Sequence, residues 1–168
     1  SLDSQWFEDL APRFYGGFGN TISYKNLTLD VFLQFKKQQS YNYLRSGATV
    51  GLRQNVPVQL LDRWQNPGDN NPIQRASGLG LYPGVLDTDN QQRESNATIS
   101  DASFIRLRNL TISYQVPQHL SRGLDLSLYL QGQNLFVITS YDGPDPEQSS
   151  FEILPPLRQV TLGMQLSF

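Results

Sequence analysis

The sequence predicts an all-β fold, an antiparallel transmembrane β-barrel segment of about five strands. Three observations carry this. Five stretches of about 10–16 residues alternate apolar and polar side chains, against about 5–6 residues for an ordinary globular strand. Their connections run short, very long, short, long, the asymmetry of a barrel with tight turns on one rim and large loops on the other. The last alternating stretch, VTLGMQLSF, runs to the final residue, Phe168. Strands of this length suit a tilted crossing of hydrocarbon, which takes about 9–11 residues.

The first strand is RFYGGFGNTISY (13–24), with Phe14, Phe18, Ile22 and Tyr24 on one face and Tyr15, Gly17, Gly19, Thr21 and Ser23 on the other. Lys25-Asn26 is a two-residue hairpin connection into LTLDVFLQFK (27–36), where Leu27, Leu29, Val31, Leu33 and Phe35 share a face. The opposite face predicts lumen-lining residues at Thr28, Asp30, Gln34 and Lys36. The third strand, SFIRLRNLTISY (103–114), changes phase at Arg108–Asn109, where a β-bulge restores one apolar face. The fourth, LDLSLYLQGQNLFVIT (124–139), alternates strictly to Leu130 and loosens after Gly132. The fifth, at 157–168, alternates Leu162, Met164, Leu166 and Phe168 with polar partners.

The predicted long loops are 37–102 and 140–156, both extracellular, so the last strand runs inward and leaves Phe168 at the periplasmic rim. In the first loop, NVPVQLLDRW (55–64) predicts a short helix with Val58, Leu61 and Trp64 along one side. NPGDNNP (66–72) is a turn cluster, and 75–96 is expected to be irregular. An odd count of five strands, entered from the extracellular side, predicts a portion of a larger barrel.

The composition excludes several chemistries. A formal net charge of −2 offers no basic surface for nucleic acid, and the absence of cysteine removes disulfides and thiolate sites. The single histidine, His119, has no second histidine with which to hold a metal, and no serine triad emerges. Asp87, Asp89 and Asn90 lack the glycine and later glutamate of a calcium loop. Asp142, Asp145 and Glu147 sit in YDGPDPE, which reads first as turn chemistry. No enzyme activity, catalytic residue, metal or cofactor is expected. Arg106 and Arg108 are expected to line the lumen or to pair within the wall, and Trp64, Tyr82 and Tyr141 are the candidates for ligand or partner contact. A soluble β-sandwich carbohydrate-binding module is the rival fold, in which the same apolar faces form a core.

Several segments resemble one family in its own order. They are PRFYGGFGNTISYKNLTLDVFLQF (12–35), LLDRWQNPGDNNPIQRA (60–76), DASFIRLRNLTISYQVP (101–117), LYLQGQNLFVITSYDGPDPE (128–147) and LPPLRQVTLGMQLSF (154–168). Together they resemble the C-terminal barrel portion of the SusC/RagA family of TonB-linked outer-membrane transporters. Within 79–100 no resemblance is found. The resemblance implies a plugged barrel of the ~22-stranded class in the bacterial outer membrane. It also implies import of a nutrient, oligosaccharide or peptide, with a SusD-like surface lipoprotein as partner and energy delivered by the TonB complex. The family's plug and TonB-contact segment have no counterpart in these 168 residues and are expected elsewhere. Outer-membrane lipid, the remaining barrel strands and the plug are the other implied partners. The resemblance assigns Phe168 to a C-terminal insertion signal and carries no ligand residue across. A passive porin-type barrel is the alternative within the same fold.

Overall fold

The computed structural model describes residues 8–45, 53, 55–71, 73–75, 90–148, 150 and 153–167. Tyr82, Asp87, Asp89 and Phe168 lie outside the described residues. The strands in chain order are β1 (Phe14–Tyr24), β2 (Leu27–Lys37), β3 (Gln39–Tyr41), β4 (Ile99–Asp101), β5 (Phe104–Val116), β6 (Asp125–Thr139) and β7 (Gln159–Ser167). The chain divides into two compact units. A strand unit comprises Ala11–Gln38, Ala102–Ser140 and Leu154–Phe168, and a loop unit comprises the remainder.

The strand unit is one antiparallel sheet in the order β1-β2-β5-β6-β7. Its register explains why the alternation had to be so long. Ile22, Leu29, Ile112, Leu130 and Leu162 align as one row across all five strands. The adjacent row is Thr21, Asp30, Thr111, Gln131 and Thr161. Because side chains alternate between faces with period two, one face is therefore predominantly apolar and the other predominantly polar.

Two irregularities keep that division intact. Opposite β2, Phe32 pairs with Asn109 and Leu33 with Leu107, so Arg108 is the extra residue of β5. Opposite β6, Leu107 pairs with Phe136 and Asn109 with Gln133, so Asn134 and Leu135 face the single Arg108. Asn134 takes a positive φ of 51°, a conformation asparagine tolerates better than most residues. The paired bulges put Ile105 and Leu107 on the same face as Leu110 and Ile112, and Phe136 on the same face as Leu130.

At the β1–β2 connection Lys25 has a φ of 53°. Asn26 ties this turn to β5, its Nδ2 donating to the Gln115 carbonyl at 2.8 Å and its own carbonyl accepting from the Gln115 N–H at 2.8 Å.

The apolar face is exposed. Phe18 is 57% exposed, Leu162 79% and Met164 74%, in company with Phe14, Ile22, Val160 and Leu166. A soluble sandwich would bury these rows against a second sheet; among the described residues they stay open. An apolar patch of this extent marks a surface that meets something other than water.

The loop unit adds strand pairing that the sequence did not predict within 37–102. β3 and β4 pair with each other in a separate sheet, Gln39 opposite Asp101 and Tyr41 opposite Ile99. Asn42 extends the joint, its N–H donating to the Thr98 carbonyl at 2.8 Å and its Nδ2 to the Ala97 carbonyl at 2.9 Å. The predicted helix is a 3-10 helix at Val58–Asp62, and its buried residue is Leu60. Val58 and Leu61 are exposed, so the expected apolar side is turned outward. Three residues per turn place positions 58 and 61 in line and direct residue 60 away from them. A helical turn at 90–93 also interrupts the stretch expected to be irregular.

Candidate functional site

The polar face of the sheet begins with Thr28, Asp30, Gln34 and Lys36, which alternation places together on β2. Ser23, Thr21, Gly17 and Tyr15 flank them on β1, and Ser113, Thr111, Arg106 and Phe104 on β5. Thr21 Oγ1 donates to Asp30 Oδ1, and the Ser23 and Thr28 hydroxyls lie 3.2 Å apart. Asp30, Thr111 and Gln131 line a cavity of about 380 Å³ on this face.

Two further residues, Phe32 and Arg108, shape this face. Phe32 shares the polar phase, and a Cβ on Gly17 would meet its ring, 2.7 Å from Cζ. The glycine is thus the space that lets an aromatic ring lie across the strand pair. Arg108, placed by its bulge, turns to the polar face, where Nε donates to Gln34 Oε1 and Nη1 donates to Asn134 Oδ1 at 3.1 Å. One guanidinium thereby braces β2, β5 and β6. Arg106 is buried beside it, its guanidinium 5.5 Å from the Phe104 ring centre. The cations Lys36, Arg106 and Arg108 gather at the end of the sheet away from the Lys25-Asn26 turn, while Asp30 and Asp125 lie nearer that turn. The signal for Arg108 was the phase slip at Arg108–Asn109; nothing in the alternation distinguished Phe32 from an apolar-face residue that had strayed.

In the loop unit, Tyr141 is 8% exposed and packed rather than offered to a ligand. Its hydroxyl donates to the Tyr41 carbonyl. Burial raises its pKa, partly offset by a hydrogen bond with Ser40 and reinforced by Asp142 and Asp145. Tyr43 is raised in the same direction, by burial first and then by Asp142 and Asp62. Asp142 accepts from Gln59 Nε2 at 2.9 Å, and Asp145 accepts from the Glu147 N–H at 2.9 Å. Asp142 therefore ties its segment to the helix at Val58–Asp62, and Asp145 organises its own turn. Asp69 does the same, accepting from the Gln65 and Asn66 N–H groups, and those two bonds lower its pKa. Among the described residues no His, Asp and Glu come together as a metal-binding group.

Trp64 is half-buried and lines a cavity of about 610 Å³ together with Ile73, Arg75, Gln91 and Gln92. The Arg75 guanidinium lies 5.8 Å from the centre of the indole. Of the three loop aromatics, Trp64 faces a cavity, Tyr141 is packed away, and Tyr82 is outside the described residues. Among the described residues the arrangement offers hydrogen bonding and stacking.

No family model matches the chain. It is 26% identical over 189 residues to TonB-dependent receptor P3 of Formosa agariphila, covering 100% of this chain and 18% of that protein. TonB-dependent receptor P26 of the same organism is 26% identical over 182 residues, covering 94% of this chain and 17% of the relative. Among solved structures, the RagAB peptide importer in its open-open state matches with a TM-score of 0.69 at 27% identity, over 96% of this chain and 18% of that chain. The same importer in its closed-closed state matches with a TM-score of 0.68 at 26% identity, over 96% of this chain and 18% of that one. The chain therefore spans about 18% of the length of the proteins it resembles. The likeness extends over both the long strands and the loops, and it agrees with a sheet whose apolar face is open. The chain is similar over nearly its whole length to SusC/RagA-type TonB-dependent transporters, and its long antiparallel strands match a segment of a TonB-dependent transporter barrel.

Proposed function

We propose that this chain forms part of the wall and extracellular loops of an outer-membrane transporter that imports a nutrient, an oligosaccharide or a peptide, with energy passed from TonB. A SusD-like surface lipoprotein is the proposed partner at the extracellular mouth. The observation that carries the reading is the largely exposed, predominantly apolar face of five long strands backed by a predominantly polar face. Its height fits a membrane. From Phe14 to Tyr24 the strand rises ~33 Å at ~3.3 Å per residue, and a tilt near 40° reduces this to ~25 Å, the height of the apolar band of such barrels.

In this reading the apolar face meets lipid, and neighbouring strands satisfy the backbone where hydrocarbon supplies no partners. Thr28, Asp30, Gln34 and Lys36 line the lumen, where a plug contributed by another part of the protein is seated. The loop unit contributes to the vestibule that a substrate crosses before the lumen. The names of the relatives, TonB-dependent receptors and a peptide importer, support an energised import over a passive pore.

The test is uptake of labelled nutrient by cells carrying the complete gene, with and without TonB, and with and without a co-expressed SusD-like lipoprotein. Uptake that disappears without TonB and weakens without the lipoprotein is expected. Uptake unaffected by loss of TonB would establish the passive-pore alternative.

A further inference from the structure

We infer that the outer face of β1 around Asn20 is an interface, inside the membrane, with a second copy of this chain, the two Asn20 carboxamides pairing across a twofold axis. The inference rests on the reading that the apolar face of the sheet meets lipid. On that face Asn20 is the exception. Its row continues through Val31, Leu110, Gly132 and Val160 on the other four strands, with no hydrogen-bonding side chain among them. Along β1 it is flanked by Phe18 and Ile22, each 57% exposed, and its diagonal neighbours on β2 are Leu29 and Leu33. Tyr24 and Tyr114 mark one rim of the face and Lys37 the other. Between those rims, Asn20 is the one side chain among the described residues of this face that carries a hydrogen-bonding group. It is exposed, and among the described residues its carboxamide has no partner.

Depth makes the exception costly. Asn20 lies directly opposite Val31, the fifth of the eleven residues of β2 and so near the middle of the apolar band. Hydrocarbon supplies no partner to an open carboxamide, and a polar side chain at that depth marks contact with protein rather than with lipid tails. A neighbouring strand of the wall reaches Asn20 only from the side. The carboxamide has two N–H donors and an oxygen with two lone pairs, so one lateral neighbour leaves part of it open. A second copy supplies the rest. All copies of a membrane protein share one depth and one orientation, so a twofold axis along the membrane normal sets a residue near the axis opposite itself. Asparagine suits that meeting: donor and acceptor sit on one neutral group, and two of them exchange a pair of hydrogen bonds with no charge to neutralise. Side chains of this kind hold membrane-spanning segments together. Phe18 and Ile22 then pack against their own copies and exclude lipid from the pair. Val160, in the same row on β7, lies four strands from β1, ~19 Å away at ~4.8 Å per strand, and meets lipid alone.

The experiment uses the protein expressed from its complete gene and placed in phospholipid vesicles, with any cysteine outside these 168 residues replaced by serine. Asn20→Cys and Val160→Cys are treated with a short thiol-specific cross-linker. Asn20→Cys is expected to yield a covalent dimer and Val160→Cys to stay monomeric. In a second arm, dimerisation is followed by Förster transfer between labelled copies as lipid is added to dilute them. Asn20→Leu puts an ordinary lipid-facing residue at this position, which leaves the barrel able to fold, and is expected to weaken dimerisation at least about threefold. Asn20→Gln keeps the carboxamide and is expected to weaken it less than Asn20→Leu does. Absence of a cross-link at Asn20, equal cross-linking at both positions, or unchanged dimerisation in Asn20→Leu would overturn the interface. The last of these would assign the carboxamide to the neighbouring strand instead. A spin label on Val31→Cys in the same vesicles separates the two readings: frequent collision with oxygen but no dimer sinks the interface alone, and infrequent collision sinks the lipid-facing wall with it.

Discussion

A lysine placed on the apolar face tests the wall by depth. Val31 is the fifth of the eleven residues of β2, on the face that holds Leu29, Leu33 and Phe35. Leu27, four residues away, closes the Lys25-Asn26 turn. That separation is ~13 Å along the strand and ~10 Å along the membrane normal at a tilt near 40°, close to half of the ~25 Å apolar band. A lysine at the midplane costs ~2–4 kcal/mol and one near the interface ~0–1 kcal/mol. Val31→Lys is therefore expected to destabilise the folded barrel by ~2–4 kcal/mol, Leu29→Lys by an intermediate amount and Leu27→Lys by ~0–1 kcal/mol. The assay is urea-driven unfolding of the complete protein in phospholipid vesicles, followed by heat-modifiable gel mobility. The polar-face control is Gln131→Lys, which faces the Asp30 side of the sheet across Thr111. Gln34→Lys, which alternation alone would suggest as the control, is unsuitable because Gln34 accepts from Arg108. Equal losses at Val31, Leu27 and Gln131 would refute the argument that one face meets lipid.

Three further outcomes follow from the geometry. Arg108→Met removes the bonds to Gln34 and Asn134 and is expected to lower barrel stability by about 1.5–3 kcal/mol in the same unfolding assay, with an unchanged stability counting against the brace. A Cβ on Gly163 would collide with the Tyr129 ring of its cross-strand partner, so Gly163→Val should cost about 1–3 kcal/mol and Tyr129→Ala in the same chain should recover part of it. Tyr43 and Tyr141 have folded pKa values raised above the ordinary tyrosine value of about 10, so their contribution is complete below that pH and is lost as pH rises through the raised values. Hydrogen exchange in the β3–β4 joint should accelerate on that alkaline side, and Tyr43→Phe should move the onset upward.

The strand unit was legible in the sequence because each long strand runs for 9 to 15 residues, with period two holding through β1, β2 and β7 and on either side of the bulge in β5 and β6. Even its irregularities left a mark: the slip at Arg108–Asn109 is the β5 bulge, and the loosening after Gly132 is its counterpart at Asn134–Leu135. The loop unit was legible only at its short helix, expected within 55–64 and found at Val58–Asp62. β3 and β4 are three residues each and pair across more than fifty positions, so neither periodicity nor turn chemistry announces them. Val58 and Leu61 share a side of the short helix as their spacing predicts, but that side is exposed and Leu60 is the buried residue, an outcome of packing that the spacing does not carry. Trp64 was identified as a contact candidate by residue type alone. Gln91 and Gln92, across the same cavity, carry no pattern that would separate them from an ordinary polar loop. Arg108 shows the general limit: its position in the bulge could be read, but its reach to Gln34 and Asn134 depends on a register between three strands.

The most direct measurement of the central claim is a single-cysteine spin-label scan along Leu27–Lys37 in vesicles, reading collision with oxygen against collision with a water-soluble nickel chelate. The 168 residues contain no cysteine, so this segment contributes no background label of its own. Oxygen accessibility is predicted to peak at Leu29, Val31, Leu33 and Phe35 and nickel accessibility at Thr28, Asp30 and Gln34, with strict period two. Uniform accessibility, or peaks in the opposite phase, would contradict a wall whose apolar face meets lipid.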